Sequence, residues 1–106
     1  MKKGLMANRV DNVAVALTDI DRGEKVNLVL ASGEVVKDVI AREPIPFRHK
    51  IATGAVAKGN KVIRYGEIIG LAEEDIAEGS YVHTHNVTSI KFPIRSFRLM
   101  GSPVQR

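Results

Sequence analysis

The chain has 106 residues and a mass of 11.6 kDa, with 16 Lys and Arg against 12 Asp and Glu. That length predicts one domain, and 44% hydrophobic with 26% charged residues is a globular composition that is neither disordered nor membrane-spanning. The formal charge of +4 invites a nucleic-acid reading, but Lys91, Arg95, Arg98 and Arg106 carry the whole excess and the body through Ser89 is neutral.

With no cysteine, disulfide scaffolds, thiolate zinc sites and cysteine nucleophiles are excluded, and any metal needs His, Asp or Glu ligands. The longest apolar runs are about five residues, as at Val13–Leu17, against the ~20 of a membrane span. The basic N-terminus is followed by no apolar run long enough for a signal peptide, so a cytoplasmic location and no membrane partner are expected. The scarcity of aromatic residues also argues against single-stranded nucleic acid as a partner.

In chain order, residues 1–9 read as an N-terminal extension, 10–89 as the domain and 90–106 as a basic tail or docking segment. Short β-branched runs broken by glycine predict strands at Asn12–Leu17, Lys25–Ala31, Glu34–Ile40, Lys61–Tyr65, Ile68–Ala72 and Tyr81–Val87. Ser32-Gly33 predicts a hairpin turn, and Glu43-Pro-Ile-Pro-Phe predicts extended or turning chain. Helix is expected only as brief turns near Ala55–Ala57 or Glu73–Ala77. The fold class is therefore mainly β, with many short strands and tight Gly turns. In the tail, apolar Phe92, Ile94, Phe97 and Leu99 alternate with basic residues, which suits an added strand or a docking arm.

One turn device recurs. Asp19–Val26, Ala55–Val62 and Asp75–Val82 align without gaps, each with a β-branched residue at place two, Gly at place five and Val at place eight. An apolar anchor, a Gly for positive φ and a Val opening the next strand make one local design used three times. Asp19 and Asp75 are expected to cap their own turns. The unequal spacing of the copies argues against a stacked solenoid.

Three strings carry chemistry. In Val82-His83-Thr84-His85-Asn86-Val87, a strand would point His83 and His85 the same way, roughly 6–7 Å apart at Cα. Two imidazoles so placed can reach one divalent ion, or one can act as a general base while Asn86 orients a substrate oxygen. Two histidines on a solvated strand face are the plainer alternative. In Ile45–Ala52, the consecutive Arg48, His49 and Lys50 suit an anionic group such as a carboxylate, or simply decorate a surface bend. Val62-Ile-Arg-Tyr-Gly-Glu-Ile-Ile-Gly70 reads as two strands joined at Tyr65-Gly66-Glu67.

Together these strings, above all Asp75-Ile-Ala-Glu-Gly-Ser-Tyr-Val-His-Thr-His-Asn86, resemble the N-terminal SAF (β-clip) domain of the altronate/galactarate dehydratase family over about residues 10–88. The resemblance implies a SAF-type β-clip that works as the small subunit of a sugar-acid dehydratase, beside a large catalytic subunit. Sulfolactate sulfo-lyase, a relative, divides the same arrangement into two chains. The implied reaction is β-elimination of water from a hydroxy acid, with a divalent metal, Fe2+ or Mn2+, held mainly by the partner. On that reading His83 and His85 are metal ligands or acid/base groups, and His49, Lys50 and Asn86 bind substrate. A sugar-acid-binding or regulatory module without chemistry is the rival reading, and self-association is a further expectation. Three positions depart from the family's pattern: Arg48 stands where Gly commonly precedes His-Lys, Arg64 where Lys precedes Tyr-Gly, and Thr53-Gly-Ala-Val where the family more often reads like Leu-Lys-Asp-Ile.

Overall fold

A computed structural model describes residues 1–83 and 86–89. The described residues form nine strands: β1 (Lys2–Met6), β2 (Val13–Ala16), β3 (Lys25–Leu30), β4 (Val35–Ile40), β5 (Lys50–Ala52), β6 (Lys61–Arg64), β7 (Glu67–Ala72), β8 (Tyr81–Val82) and β9 (Val87–Ser89). Among the described residues there is no helix, as a mainly β SAF-type domain requires. The brief helical turns expected near Ala55–Ala57 and Glu73–Ala77 are replaced by an antiparallel bridge between Val56 and Ile76. Two elements were not anticipated. Lys2–Met6 pairs parallel with β3 and antiparallel with β2, so the first residues form an inner strand of the sheet where an appended extension was expected. Lys50–Ala52 is a strand between β2 and β8.

Six strands form a mixed sheet in the order β4-β3-β1-β2-β5-β8, and three form an antiparallel sheet in the order β6-β7-β9. Both faces of β2 and β5 are covered. Ala14, Ala16 and Ile51 join one core cluster with Ile20, Leu28 and Ile45, while Val13 and Ala52 join a second with Val56, Val62, Ile76 and Val82. Strands buried on two sides read as unbroken apolar runs, which explains Val13-Ala-Val-Ala16. Ile20, Leu28, Ile45 and Ile51 are fully buried, each stabilising the fold by about 1.5–3 kcal/mol relative to exposure.

Among the described residues the turn device occurs four times. Pro44–Ile51 is the copy hidden in the sequence, with Ile45 at place two, Ile51 at place eight and Arg48 at the Gly place. The place-five residues Gly23, Arg48, Gly59 and Gly79 all have positive φ, at 88°, 75°, 85° and 86°. Their backbone N–H groups donate to the carbonyls of Ala41, Ala16, Ala72 and Ala52, at 2.8, 2.9, 2.8 and 2.9 Å. Each of those alanines returns its N–H to the carbonyl at place six of the same turn. The copies act in pairs, since Ile20 bridges Ile45 and Val56 bridges Ile76. Each pair supplies one core cluster.

The aspartates cap across the pair, where capping of their own turns was expected. Asp19 Oδ1 accepts from Phe47 N at 2.8 Å, and Asp75 Oδ1 accepts from Lys58 N at 2.9 Å, both at place four of the partner turn.

Candidate functional site

Antiparallel pairing of β5 with β8 sets Ile51 opposite Tyr81 and Lys50 opposite Val82. Continuing that register by one step sets His49 opposite His83. The three rings of His49, Tyr81 and His83 meet at this edge. Their centroids lie 5.5 Å apart for His49–Tyr81, 5.5 Å for His49–His83 and 5.4 Å for Tyr81–His83. His49 and Tyr81 meet edge to face at 64°, with Tyr81 Oη 2.5 Å from His49 Nδ1.

Both sides of the cluster are pinned through the backbone. His49 N donates to Pro46 O at 3.0 Å, and its carbonyl accepts from Ala16 N at 2.8 Å. Tyr81 N donates to Glu43 Oε2 at 2.9 Å. Asn86, only 3% exposed, spends its amide on the backbone: Nδ2 donates to Tyr81 O at 2.7 Å and Oδ1 accepts from His83 N at 3.0 Å. The structure thus places Asn86 inside the turn that carries His83, with its amide engaged there.

β8 ends at Val82, and Asn86 N donates to His83 O at 3.0 Å, which folds the chain back on itself. The strand expected over Tyr81–Val87 is therefore two short strands, β8 and β9, with a turn closed between His83 and Asn86. His85 and the tail from 90 to 106 lie outside the described residues.

Lys50 and His49 go opposite ways. Adjacent residues entering a strand alternate faces. His49 joins the rings beside Ile51 and Tyr81, while Lys50 shares the face of Val82 and the second core cluster. Burial lowers the Lys50 pKa below its ordinary value, and the positive charge of Arg64 lowers it further. The consecutive His49 and Lys50 therefore present their side chains to opposite sides.

Sequence reasoning left two groups unassigned. Tyr81 was read only as the start of a strand, although its spacing of two from His83 is the period that brings strand side chains together. Asp11, 4% exposed, accepts from Asn8 N at 3.1 Å, Tyr65 N at 3.0 Å and Gly66 N at 2.8 Å. It holds the β6–β7 turn, where Tyr65 takes a φ of 58° and Gly66 one of 72°. Beside it, Asn12 Oδ1 accepts from Ile63 N at 2.7 Å and Nδ2 donates to Lys61 O at 2.9 Å. These two residues tie the small sheet to the large one, and a buried carboxylate accepting three backbone N–H groups is here a structural hub.

Among the described residues no three His, Asp or Glu side chains gather in a way that could hold a metal ion. No described helix is long and apolar enough to cross a membrane.

Comparison with known proteins decides the lineage. Residues 2–90 match the altronate/galactarate dehydratase SAF domain. The chain belongs to that family. It is 38% identical over 86 residues to altronate dehydratase of Bacillus subtilis, covering 81% of this chain and 16% of that protein. It is 43% identical over 77 residues to altronate dehydratase of Escherichia coli, covering 73% of this chain and 14% of that protein. A shorter match, 46% identical over 46 residues, is to (2R)-sulfolactate sulfo-lyase subunit alpha of Paracoccus pantotrophus, covering 43% of this chain and 69% of that subunit. The chain thus spans about one-sixth of the dehydratases it matches, and its relatives are dehydratase and lyase enzymes of which this SAF domain is a part.

Proposed function

We propose that this SAF domain is the small component of a cytoplasmic sugar-acid dehydratase, completing an active site that a larger catalytic portion mostly builds. The observation that carries this reading is the meeting of His49, Tyr81 and His83 at one pinned edge of the sheet, His49 from a turn of one pair, Tyr81 from a turn of the other and His83 just beyond it. A structural module has no need of such a cluster at the rim, and the relatives are enzymes that act on hydroxylated acids by their names.

The reaction is loss of water from a hydroxy acid. A base removes the proton α to the carboxylate, the bond from the β-carbon to its hydroxyl breaks, and a protonated leaving oxygen departs as water. His83, at the exposed end of the cluster, is the acid/base group contributed by this domain, with His85 assigned to the same task from the sequence string. His49 binds an oxygen of the acid. Lys50, on the other face of β5, attracts an anionic group from that side. Asn86 acts by holding the His83 turn. The Fe2+ or Mn2+ that the family resemblance implies is assigned mainly to the partner, where it would polarise the leaving hydroxyl, and among the described residues no three His, Asp or Glu side chains gather to hold it.

The test is reconstitution. Mixed with a large dehydratase subunit, this chain restores turnover of a sugar acid, and His83→Ala lowers kcat by roughly 100-fold or more, the usual contribution of general acid–base catalysis. Full activity of His83→Ala leaves the domain only a binding or scaffold role. Elimination of sulfite with no loss of water reassigns the chain to the sulfo-lyase branch.

A further inference from the structure

Tyr81 is 2.5 Å from His49 Nδ1 through its hydroxyl, and the direction of that hydrogen bond has a chemical consequence. A phenol O–H is a much stronger acid than the N–H of a neutral imidazole, and an imidazole nitrogen is a much stronger base than a phenol oxygen. With His49 neutral, the favourable arrangement has Tyr81 Oη–H donating to Nδ1. The ring proton then sits on Nε2. When His49 is protonated the inner bond reverses, Nδ1–H donating to Oη, and Nε2 still carries a proton.

We infer that Tyr81 is a positioning residue that fixes His49 as the Nε2–H tautomer, making His49 a hydrogen-bond donor to an oxygen of the acid and not the base that takes its proton. The donor role rests on the function proposed above, whereas the tautomer stands on the Tyr81 contact alone. The geometry is held from both sides. Tyr81 is anchored at N by Glu43 and at O by Asn86, and His49 is anchored at N by Pro46 and at O by Ala16. The edge-to-face approach of the rings and the packing of His83 against both leave the imidazole located by contacts as well as by the hydrogen bond. A donor that persists in both protonation states suits recognition of a carboxylate or hydroxyl oxygen. It divides the labour between the two histidines, His49 for binding and His83 for proton transfer.

Long-range proton–nitrogen correlation spectra of the labelled 106-residue chain read the tautomer directly. With His49 neutral, Nε2 is expected at the protonated-nitrogen position and Nδ1 at the unprotonated one. Protonation of Nδ1 in neutral His49 overturns the assignment without any variant. In Tyr81→Phe, both His49 nitrogen signals are expected to move toward those of a free imidazole exchanging its tautomers, and unchanged signals in a folded variant also overturn it.

Reconstituted activity supplies an independent readout. His49→Gln, whose amide N–H stands near the place of Nε2–H, should raise KM less than His49→Ala does. His49→Ala should raise KM roughly tenfold, the loss of one hydrogen bond, and Tyr81→Phe should raise it by less, since an exchanging imidazole still carries Nε2–H part of the time, with little change in kcat in either. A collapse of kcat with loss of the basic limb of the pH–rate profile in His49→Gln would make His49 the base and sink the inference. An Nε2–H state in a chain that rescues no large subunit would defeat the proposed function and leave the tautomer assignment standing.

Discussion

The turns that deliver His49 and Tyr81 to the same edge share a hydrogen-bond diagram and differ in everything around it. In the Pro44–Ile51 turn the place-five residue is Arg48, solvent-exposed, with its guanidinium 5.1 Å from the Phe47 ring. In the Asp75–Val82 turn it is Gly79, buried against the end of β4 so closely that a Cβ would stand 2.0 Å from the Ile40 carbonyl oxygen. Both residues have left-handed φ, 75° and 86°. The backbone demand is therefore equal, and the freedom to meet it with a side chain is not. An exposed turn tolerates an arginine at the cost of local strain, about 1–2 kcal/mol for a left-handed residue with a Cβ. A buried one admits only hydrogen.

Substitutions at these positions test that contrast. The largest effect is expected for Gly79→Ala, where strain adds to a clash with main chain that cannot swing aside. A loss of about 3–5 kcal/mol is anticipated in urea unfolding, with weakened docking of β4. A loss below about 1 kcal/mol would show that burial does not separate the turns. Next comes Asp11→Ala, which strips the carboxylate from three backbone N–H groups around a third left-handed turn and should cost about 2–4 kcal/mol. Amide exchange of Tyr65 and Gly66 should accelerate in that variant more than exchange within β3.

Gly59→Ala isolates the backbone term, because nothing lies within 4 Å of a Cβ built there while φ is 85°. About 1 kcal/mol should be lost, and a cost equal to that of Gly79→Ala would contradict the steric account. The smallest effect has the opposite sign. Arg48→Gly relieves the strained φ but loosens the unfolded chain, so a net gain of about 0.5 kcal/mol is expected from the midpoint of chemical unfolding. A net loss would mean that the stacking of Arg48 on Phe47 outweighs the strain.

Much of the fold was readable in the residues because its determinants are local. β-Branched runs mark β2, β3, β4, β6 and β7 to within one or two residues at each end, and glycines mark three of the four turns. What escaped has common physical causes. β1 carries two lysines and a glycine and becomes a strand because β2 and β3 flank it, a long-range event that no local pattern announces. β5 is three residues long and looks like a basic bend until its neighbours are known. The fourth turn hides because two prolines and an arginine replace the residues that make the others recognisable. Asn86 looks in sequence like a group for substrate, and its burial and amide contacts place it under His83.

The family, the mainly β class, the turn device and the exclusion of cysteine chemistry are all legible in the residues themselves. These follow from residue type and short-range spacing. His49 and Lys50 part to opposite faces, each aspartate caps its partner's turn, and Tyr81 reaches His49 across 32 residues only once the chain is folded. Those facts depend on strand register and on which turns pair. Register is fixed by burying both faces of β2 and β5 at once, a condition that exists only when the whole chain is folded.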